Sequence, residues 1–261
     1  MKQIKTSLCT AVLVCASVSQ AAILVPSNFT FASGDRAASA DFSQSGTNLV
    51  ITLTNTYAGD TLDTSHLLTA VFFDITAPLS TAGGSALINA GSTLLYPTTC
   101  SPGPCTAGTT NVGGEWEYLA GLAGAPGGAS KGISSTGLGL FGDGNLNGAN
   151  LDDPTAVNGS NFGISSAGDN PATGNTGLVN DPVIQNSVVF TLSGLTAGQN
   201  YSISNVFFLY GTALTECNDG PCGGGGGGGG NPVPEPGYLL TLALVSVPVL
   251  LRYRKSRQLS A

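Results

Sequence analysis

The sequence predicts an all-β protein: a single antiparallel β-sandwich-like domain with Gly-rich loops. An N-terminal signal-peptide helix and a C-terminal hydrophobic helix are predicted to flank it. Three observations carry this reading. Short runs rich in β-branched and aromatic residues recur through the middle of the chain, and Gly, Asn, Asp, Ser and Pro clusters separate them. Nothing between residues 22 and 217 has the spacing of an amphipathic helix. The length of that middle suits one domain.

Taken in order, Lys2 and Lys5 open the chain, and the uncharged run LCTAVLVCASV follows. Ser19-Gln20-Ala21 then places small residues where signal peptidase needs them. Residues 1–21 therefore read as a signal peptide cut after Ala21, and the apolar run is too short to span a bilayer comfortably. Residues 22–222 form the body. Four strands are predicted in it: Asn48-Leu-Val-Ile-Thr-Leu-Thr, Leu67-Leu-Thr-Ala-Val-Phe-Phe-Asp-Ile, Asn186-Ser-Val-Val-Phe-Thr-Leu and Tyr201-Ser-Ile-Ser-Asn-Val-Phe-Phe-Leu-Tyr. Many short strands joined by Gly-rich turns favour a sandwich.

Two internal echoes stand out. Val50-Ile-Thr-Leu-Thr-Asn-Thr-Tyr-Ala-Gly-Asp is similar to Val189-Phe-Thr-Leu-Ser-Gly-Leu-Thr-Ala-Gly-Gln. Each precedes a strand holding Val-Phe-Phe, at Val71–Phe73 and Val206–Phe208. Two similar strand–turn–strand units are expected, neighbours in the core. The second echo is Gly132-Ile-Ser-Ser-Thr-Gly against Gly163-Ile-Ser-Ser-Ala-Gly, in a composition that also produces such matches by chance.

Charge is distributed unevenly. Only Arg36 and Lys131, of the eight Lys and Arg, lie in the body, against fourteen Asp and Glu up to Asp219. Such a body repels nucleic acid and anionic lipid, so neither is an expected partner. Cys9 and Cys15 leave with the signal peptide. Cys100, Cys105, Cys217 and Cys222 remain, in two hexapeptides that each place Gly-Pro before the second Cys. An even count in an exported chain reads as disulfides, and two local pairs are favoured among the three connectivities. Each loop closure stabilises by roughly 2 kcal/mol. A four-Cys zinc site is the rival, although its usual spacing is tighter.

Few residues offer chemistry. His66 is the only histidine, and no G-x-S-x-G accompanies it, so a Ser-His-Asp triad has little support. Glu115-Trp116-Glu117-Tyr118, read as a strand, puts both carboxylates on one face and both rings on the other. One reading buries Trp116 and Tyr118 and leaves the glutamates in water. The other exposes Trp116 as a glycan contact. A secreted carbohydrate-active enzyme would use Glu115 or Glu117 with body aspartates, since catalytic carboxyls need a defined separation across a cleft. Asp143, Asn145 and Asn147 offer oxygens at the spacing of a calcium loop, and Gly148 permits its turn. Position twelve is Pro154, so Asp152 or Asp153 would have to complete the set. A plain Gly/Asn turn is the alternative, and no other cofactor is indicated.

The C-terminal end is more specific. Eight glycines follow Cys222, so residues 223–232 form a flexible linker, the polyglycine spanning about 15 Å root-mean-square. Val233-Pro234-Glu235-Pro236 is extended and open to a protease. The uncharged stretch 237–251 follows, short for a full span and kinked by Pro248. Arg252, Arg254, Lys255 and Arg257 then stop transfer and stay cytoplasmic, because positive charge is retained inside.

This order, Val233-Pro234-Glu235-Pro236, apolar segment 237–251, basic tail 252–257, resembles the PEP-CTERM sorting signal of Gram-negative bacteria. The resemblance covers residues 233–261. It implies cleavage near Pro-Glu-Pro by an exosortase, a membrane-embedded cysteine protease. It also implies transient residence in the inner membrane, then the cell surface or extracellular matrix, often beside exopolysaccharide and biofilm. Parts of the body resemble one group of exosortase-dependent surface proteins: Leu68-Thr-Ala-Val-Phe-Phe-Asp, Lys131 to Gly142, Phe162 to Asp169 and Asn186 to Leu195. That group lends no biochemical activity. The resulting expectation is a non-enzymatic surface or matrix protein. A carbohydrate-active enzyme and a permanently anchored calcium-dependent adhesin are the alternatives.

Overall fold

The computed structural model describes residues 24–25, 27–96, 111–141, 151, 161–173, 178 and 182–216. Several expectations lie outside the described residues. They are the signal peptide, the linker and sorting signal, Cys100, Cys105, Cys217, Cys222, Asp143, Asn145, Asn147 and Asp152. Among the described residues no helix is long and apolar enough to cross a membrane.

The described body is all-β. Fourteen strands run β1 (Leu24–Val25), β2 (Asn28–Ser33), β3 (Arg36–Ser45), β4 (Asn48–Asn55), β5 (Leu68–Asp74), β6 (Ser80–Ile88) and β7 (Thr93–Leu95). They continue with β8 (Glu117–Ala120), β9 (Lys131–Ser134), β10 (Ile164–Ser165), β11 (Val183–Gln185), β12 (Ser187–Ser193), β13 (Tyr201–Ser202) and β14 (Ser204–Tyr210). One sheet has the order β2-β3-β4-β12-β6. A second runs β7-β11-β10-β5-β9-β8, with β14 on the opposite edge of β5. Their inner faces meet in one core that holds Phe29, Phe42, Ile51 and Phe190 from the first sheet and Val71, Phe73 and Phe208 from the second. Phe42 crosses the gap to Phe73 with ring centroids 5.3 Å apart.

Local sequence explains the strands. β4 alternates half-buried and buried residues along its whole length, the pattern of one dry face. β5 does not alternate: Leu68 to Phe73 are all buried. Its inner face enters the sandwich core, and Ala70 and Phe72 on its outer face are covered by Ala125, Ala129 and Phe141. A strand dry on both sides reads as a nearly continuous apolar run, and here only Thr69 interrupts it. Tight turns at Gly34 and Gly46, with φ of +60° and +62°, join β2 to β3 and β3 to β4. Glycine adopts that region without Cβ strain.

The echoed units are neighbours. β4 pairs with β12 so that Ile51 faces Phe190, with Val50 opposite Thr191 and Thr52 opposite Val189. β5 pairs with β14 so that Phe72 faces Phe207. Exchanging the two halves of the echo maps the β4–β12 register onto itself, which is local two-fold symmetry; in β5–β14 it holds about Phe72 and Phe207, and register shifts break it on either side. The second echo is also spatial. Ile133 in β9 and Ile164 in β10 pair with Val71 and Leu68, so both Gly-Ile-Ser-Ser segments run along one edge of β5.

Two expectations need correction. The sheets are not wholly antiparallel: β10 pairs with β11, and β1 with β13, in parallel. The long connection from Ser166 to Pro182 gives the chain room to return before it pairs again. Glu115 to Tyr118 is not one strand either. Gly113 to Glu115 form a 3-10 turn, and β8 starts only at Glu117.

Phe190 sits on β12, paired on both edges by β4 and β6, and touches the Trp116 ring, centroids 4.9 Å apart. Replacing Phe190 by Ala is expected to cost about 3–5 kcal/mol of stability in urea unfolding. Emission from Trp116, the only tryptophan, reads the transition and shifts to longer wavelength as its buried ring meets water.

Candidate functional site

Where β10 meets β5, at Ile164 and Leu68, the loop entering β5 lies beside the loop leaving β10. Each loop carries the tripeptide Ala-Gly-Asp, at Ala58-Gly59-Asp60 and Ala167-Gly168-Asp169. The two tripeptides dovetail. The amide after each aspartate donates to the other aspartate: Thr61 N to Asp169 Oδ1 at 3.2 Å, and Asn170 N to Asp60 Oδ1 at 2.9 Å. Thr173 Oγ1 donates to Asp60 Oδ2 at 2.7 Å. Ser166 donates its amide to Thr61 Oγ1 at 3.0 Å and its hydroxyl to the Gly59 carbonyl. Gly168 permits this approach, because a Cβ there would lie 2.2 Å from the Ala58 carbonyl oxygen.

The reciprocal bonds force two carboxyl groups together, with Asp169 only 6% exposed. Their electrostatics diverge. The Asn170 amide, then the Thr173 hydroxyl and the Asp169 carboxyl, hold Asp60 below the usual aspartate value. Burial, then the hydrogen bond and charge of Asp60, push Asp169 up to about 6. Two like charges so close favour one proton shared between them. Tyr96 joins the cluster by donating its hydroxyl to the Pro171 carbonyl at 3.1 Å, and burial pushes its phenol upward. Gln185 Nε2 fixes the loop from β11 by donating to the Asp169 carbonyl at 2.9 Å. The arrangement fastens two loops through a pair of carboxyl groups.

A single carboxyl group, Asp74, marks the other end of β5. Asp74 accepts Ser130 N at 2.7 Å, Ser130 Oγ at 2.6 Å and Asn205 Nδ2 at 3.0 Å. Burial opposes its ionisation, but these hydrogen bonds outweigh it, so Asp74 titrates below the ordinary value. Lys131 Nζ donates to the Ile75 carbonyl at 2.7 Å beside it.

The residues singled out from sequence are placed differently. Trp116 is fully buried, which corrects the exposed-ring reading: no face is left on which a sugar could stack. Tyr118 is buried, as the core reading has it, but so is Glu117, which that reading had put in water. Glu115 sits on the preceding turn, so Glu115 and Glu117 do not share a strand face. His66 pairs with Asp35 through Nε2 and Oδ2 at 3.0 Å, linking the β2–β3 turn to the turn before β5. Arg36 lies over the Tyr210 ring, 5.5 Å from its centroid. Among the described residues no three His, Cys, Asp or Glu converge on a common metal position. Sequence reasoning missed Asp60 and Asp169. Their signal was the repeated Ala-Gly-Asp.

Asp74→Ala leaves the Ser130 and Asn205 donors without their shared acceptor. It is expected to cost about 1–3 kcal/mol at neutral pH by urea unfolding. The folded-state value of Asp74 is depressed, so its contribution is present above the unfolded value of 3.8 and is lost as pH falls through the folded one. The variant's deficit therefore shrinks in acid. The chain matches no protein-family model, no curated protein and no solved structure.

Proposed function

We propose that the chain is an exported, non-enzymatic surface or extracellular-matrix protein. Signal peptidase removes residues 1–21. Segment 237–251 holds the chain briefly in the inner membrane, with Arg252, Arg254, Lys255 and Arg257 inside. An exosortase then cuts near Pro234-Glu235-Pro236, and the β-sandwich body passes to the cell surface or to an exopolysaccharide matrix. In this reading the two ends are helical and the body carries local Cys100–Cys105 and Cys217–Cys222 disulfides. The observation that carries it is the order of motif, apolar segment and basic tail behind a polyglycine tether.

The body's charge supports the same reading. Arg36 is stacked on Tyr210 and Lys131 is bonded to the Ile75 carbonyl, so both body bases have partners within the protein. The outward rows of the five-stranded sheet are rich in hydroxyls, among them Ser39, Ser43, Thr52 and Thr191. Such a surface is soluble, weakly charged and suited to a hydrated neutral polymer.

A secreted carbohydrate-active enzyme is the second reading. The observation favouring it is the Asp60–Asp169 pair, whose values diverge as those of an acid and its conjugate base do. Against it, three of the four carboxyl oxygens already accept protein hydrogen bonds. Glycan hydrolysis by the secreted protein, abolished by Asp169→Asn, would establish the enzyme.

The deciding measurement is the intact mass of protein recovered from the surface fraction, before and after reduction with thiol labelling. The expected mass ends between Val233 and Gly237, and four labelled thiols appear only after reduction. A mass retaining Arg252 to Ala261 would overturn the sorting reading in favour of a lasting anchor. Unfolding with and without a chelator then tests the calcium-dependent adhesin at Asp143, Asn145, Asn147 and Asp152.

A further inference from the structure

We infer that Asp60 and Asp169 form a pH-responsive latch, which fastens the loops at 56–63 and 166–173 in mild acid and loosens them towards neutrality. The inference is independent of the sorting reading.

Geometry carries it. Three hydrogen bonds of the dovetail end on its two carboxyl groups. The two amides that follow the aspartates each end on the opposite carboxyl group, and Thr173 adds a third bond to Asp60; the Ser166 bonds to Thr61 and Gly59 cross the same joint without a carboxyl and act as its hinge. The pairing cannot keep these bonds and also separate the carboxyls, because each aspartate adjoins the amide bound by the other. Gly168 pressed against the Ala58 carbonyl leaves little slack for sideways movement. When both groups are ionised, the joint therefore holds two negative charges side by side.

Among the described residues no cation relieves that repulsion. Among the described residues, the titratable group facing the pair from another element is Tyr96, a phenol. Asp63, on the same loop as Asp60, accepts the Ser65 amide. His66 faces Asp35, Arg36 faces Tyr210, and Lys131 lies with Asp74 at the other end of β5. A proton is then the compensating charge. It sits on Asp169, the more buried partner, and is donated to Asp60.

The sign follows from linkage. Asp169 is raised in the folded chain, so its contribution is complete below the unfolded value of 3.8 and is lost as pH rises through about 6. Asp60 is depressed, so it stays ionised throughout this window and keeps accepting. Raising the pH therefore removes the bridging proton without supplying another bond. The loops open locally, while β4, β5 and β12 remain paired.

Amide hydrogen exchange of the full chain tests this, with each rate divided by its intrinsic rate. At Thr61 and Asn170, corrected exchange is expected to rise by roughly tenfold between about pH 4.5 and about pH 7, the linkage of one proton. At Val71 and Phe190 it is expected to stay level. Asp169→Asn keeps the acceptor for Thr61 and offers a permanent N–H to Asp60. It is expected to remain protected across the range. Asp60→Asn, which removes the like charge, is expected to move the transition to lower pH and decides the matter if Asp169→Asn does not fold. Flat protection in the unsubstituted chain, or a transition unchanged in the folded variants, would overturn the latch. So would calcium ion restoring protection at neutral pH in the unsubstituted chain alone, since the pair would then hold a cation in place of the proton.

Discussion

The double burial of β5 is the constraint on which the rest of the structure depends. Six consecutive residues, Leu68 to Phe73, lie out of solvent, so both faces need apolar cover and both edges need hydrogen-bond partners. The five-stranded sheet covers the inner face, and the segment around Ala125, Ala129 and Phe141 covers the outer one. β14 takes one edge, and β9 and β10 share the other. The polar groups at the strand's start are met in turn. Thr69 Oγ1 donates to the Gly211 carbonyl at 2.6 Å, and Gly211 N donates to the Leu67 carbonyl at 2.9 Å. Burying one strand this completely makes a small sandwich from a chain with few charges and few large side chains.

The two-fold relation between the echoed units follows from the same demand. β4 leads into β5, and β12 leads into β14 by way of the short strand β13. Each unit therefore contributes one strand to each sheet. Antiparallel pairing of like with like brings Ile51 onto Phe190 and Phe72 onto Phe207. The centre of both sheets is thus built from a repeated pattern of Val, Phe, Thr and Leu. A substitution on one unit faces its own counterpart, so effects at Ile51 and Phe190 should not add independently.

How much of this was legible depended on whether the signal was local. β4, β5, β12 and β14 could be read because β-branched and aromatic runs announce strands directly. β3 could not, because Arg36 to Ser45 is mostly Ala, Ser and Gln, and its strand character comes from lying between β2 and β4. β10 is two residues long and exists only through its neighbours. The burial of Glu117 was equally invisible: Trp116 and Tyr118 enter the core as alternation has it, but Glu117 lies opposite Ser134 on the row of Ala70, a face that is covered as well. The Asp60–Asp169 site is a special case. Both Ala-Gly-Asp copies were in view, but each reads alone as a loop. Only the pairing of β10 with β5 sets them face to face.

The charge balance also has a thermodynamic consequence. With only two bases in the body, its aspartates cannot be neutralised by a set of ion pairs. Asp60, Asp74 and Asp169 instead accept hydrogen bonds from amides, hydroxyls and an amide side chain. Short-range bonds of this kind are screened by salt far less than surface charge pairs are. Folding should accordingly respond weakly to ionic strength and strongly to pH. Asp60 and Asp74, both depressed, lose their contribution as pH falls below 3.8. Asp169, raised, loses its own as pH climbs from 3.8 towards about 6. The two slopes oppose each other and meet close to the ordinary aspartate value. The three groups together therefore place their greatest support in mild acid, below the pH at which the body carries its full negative charge.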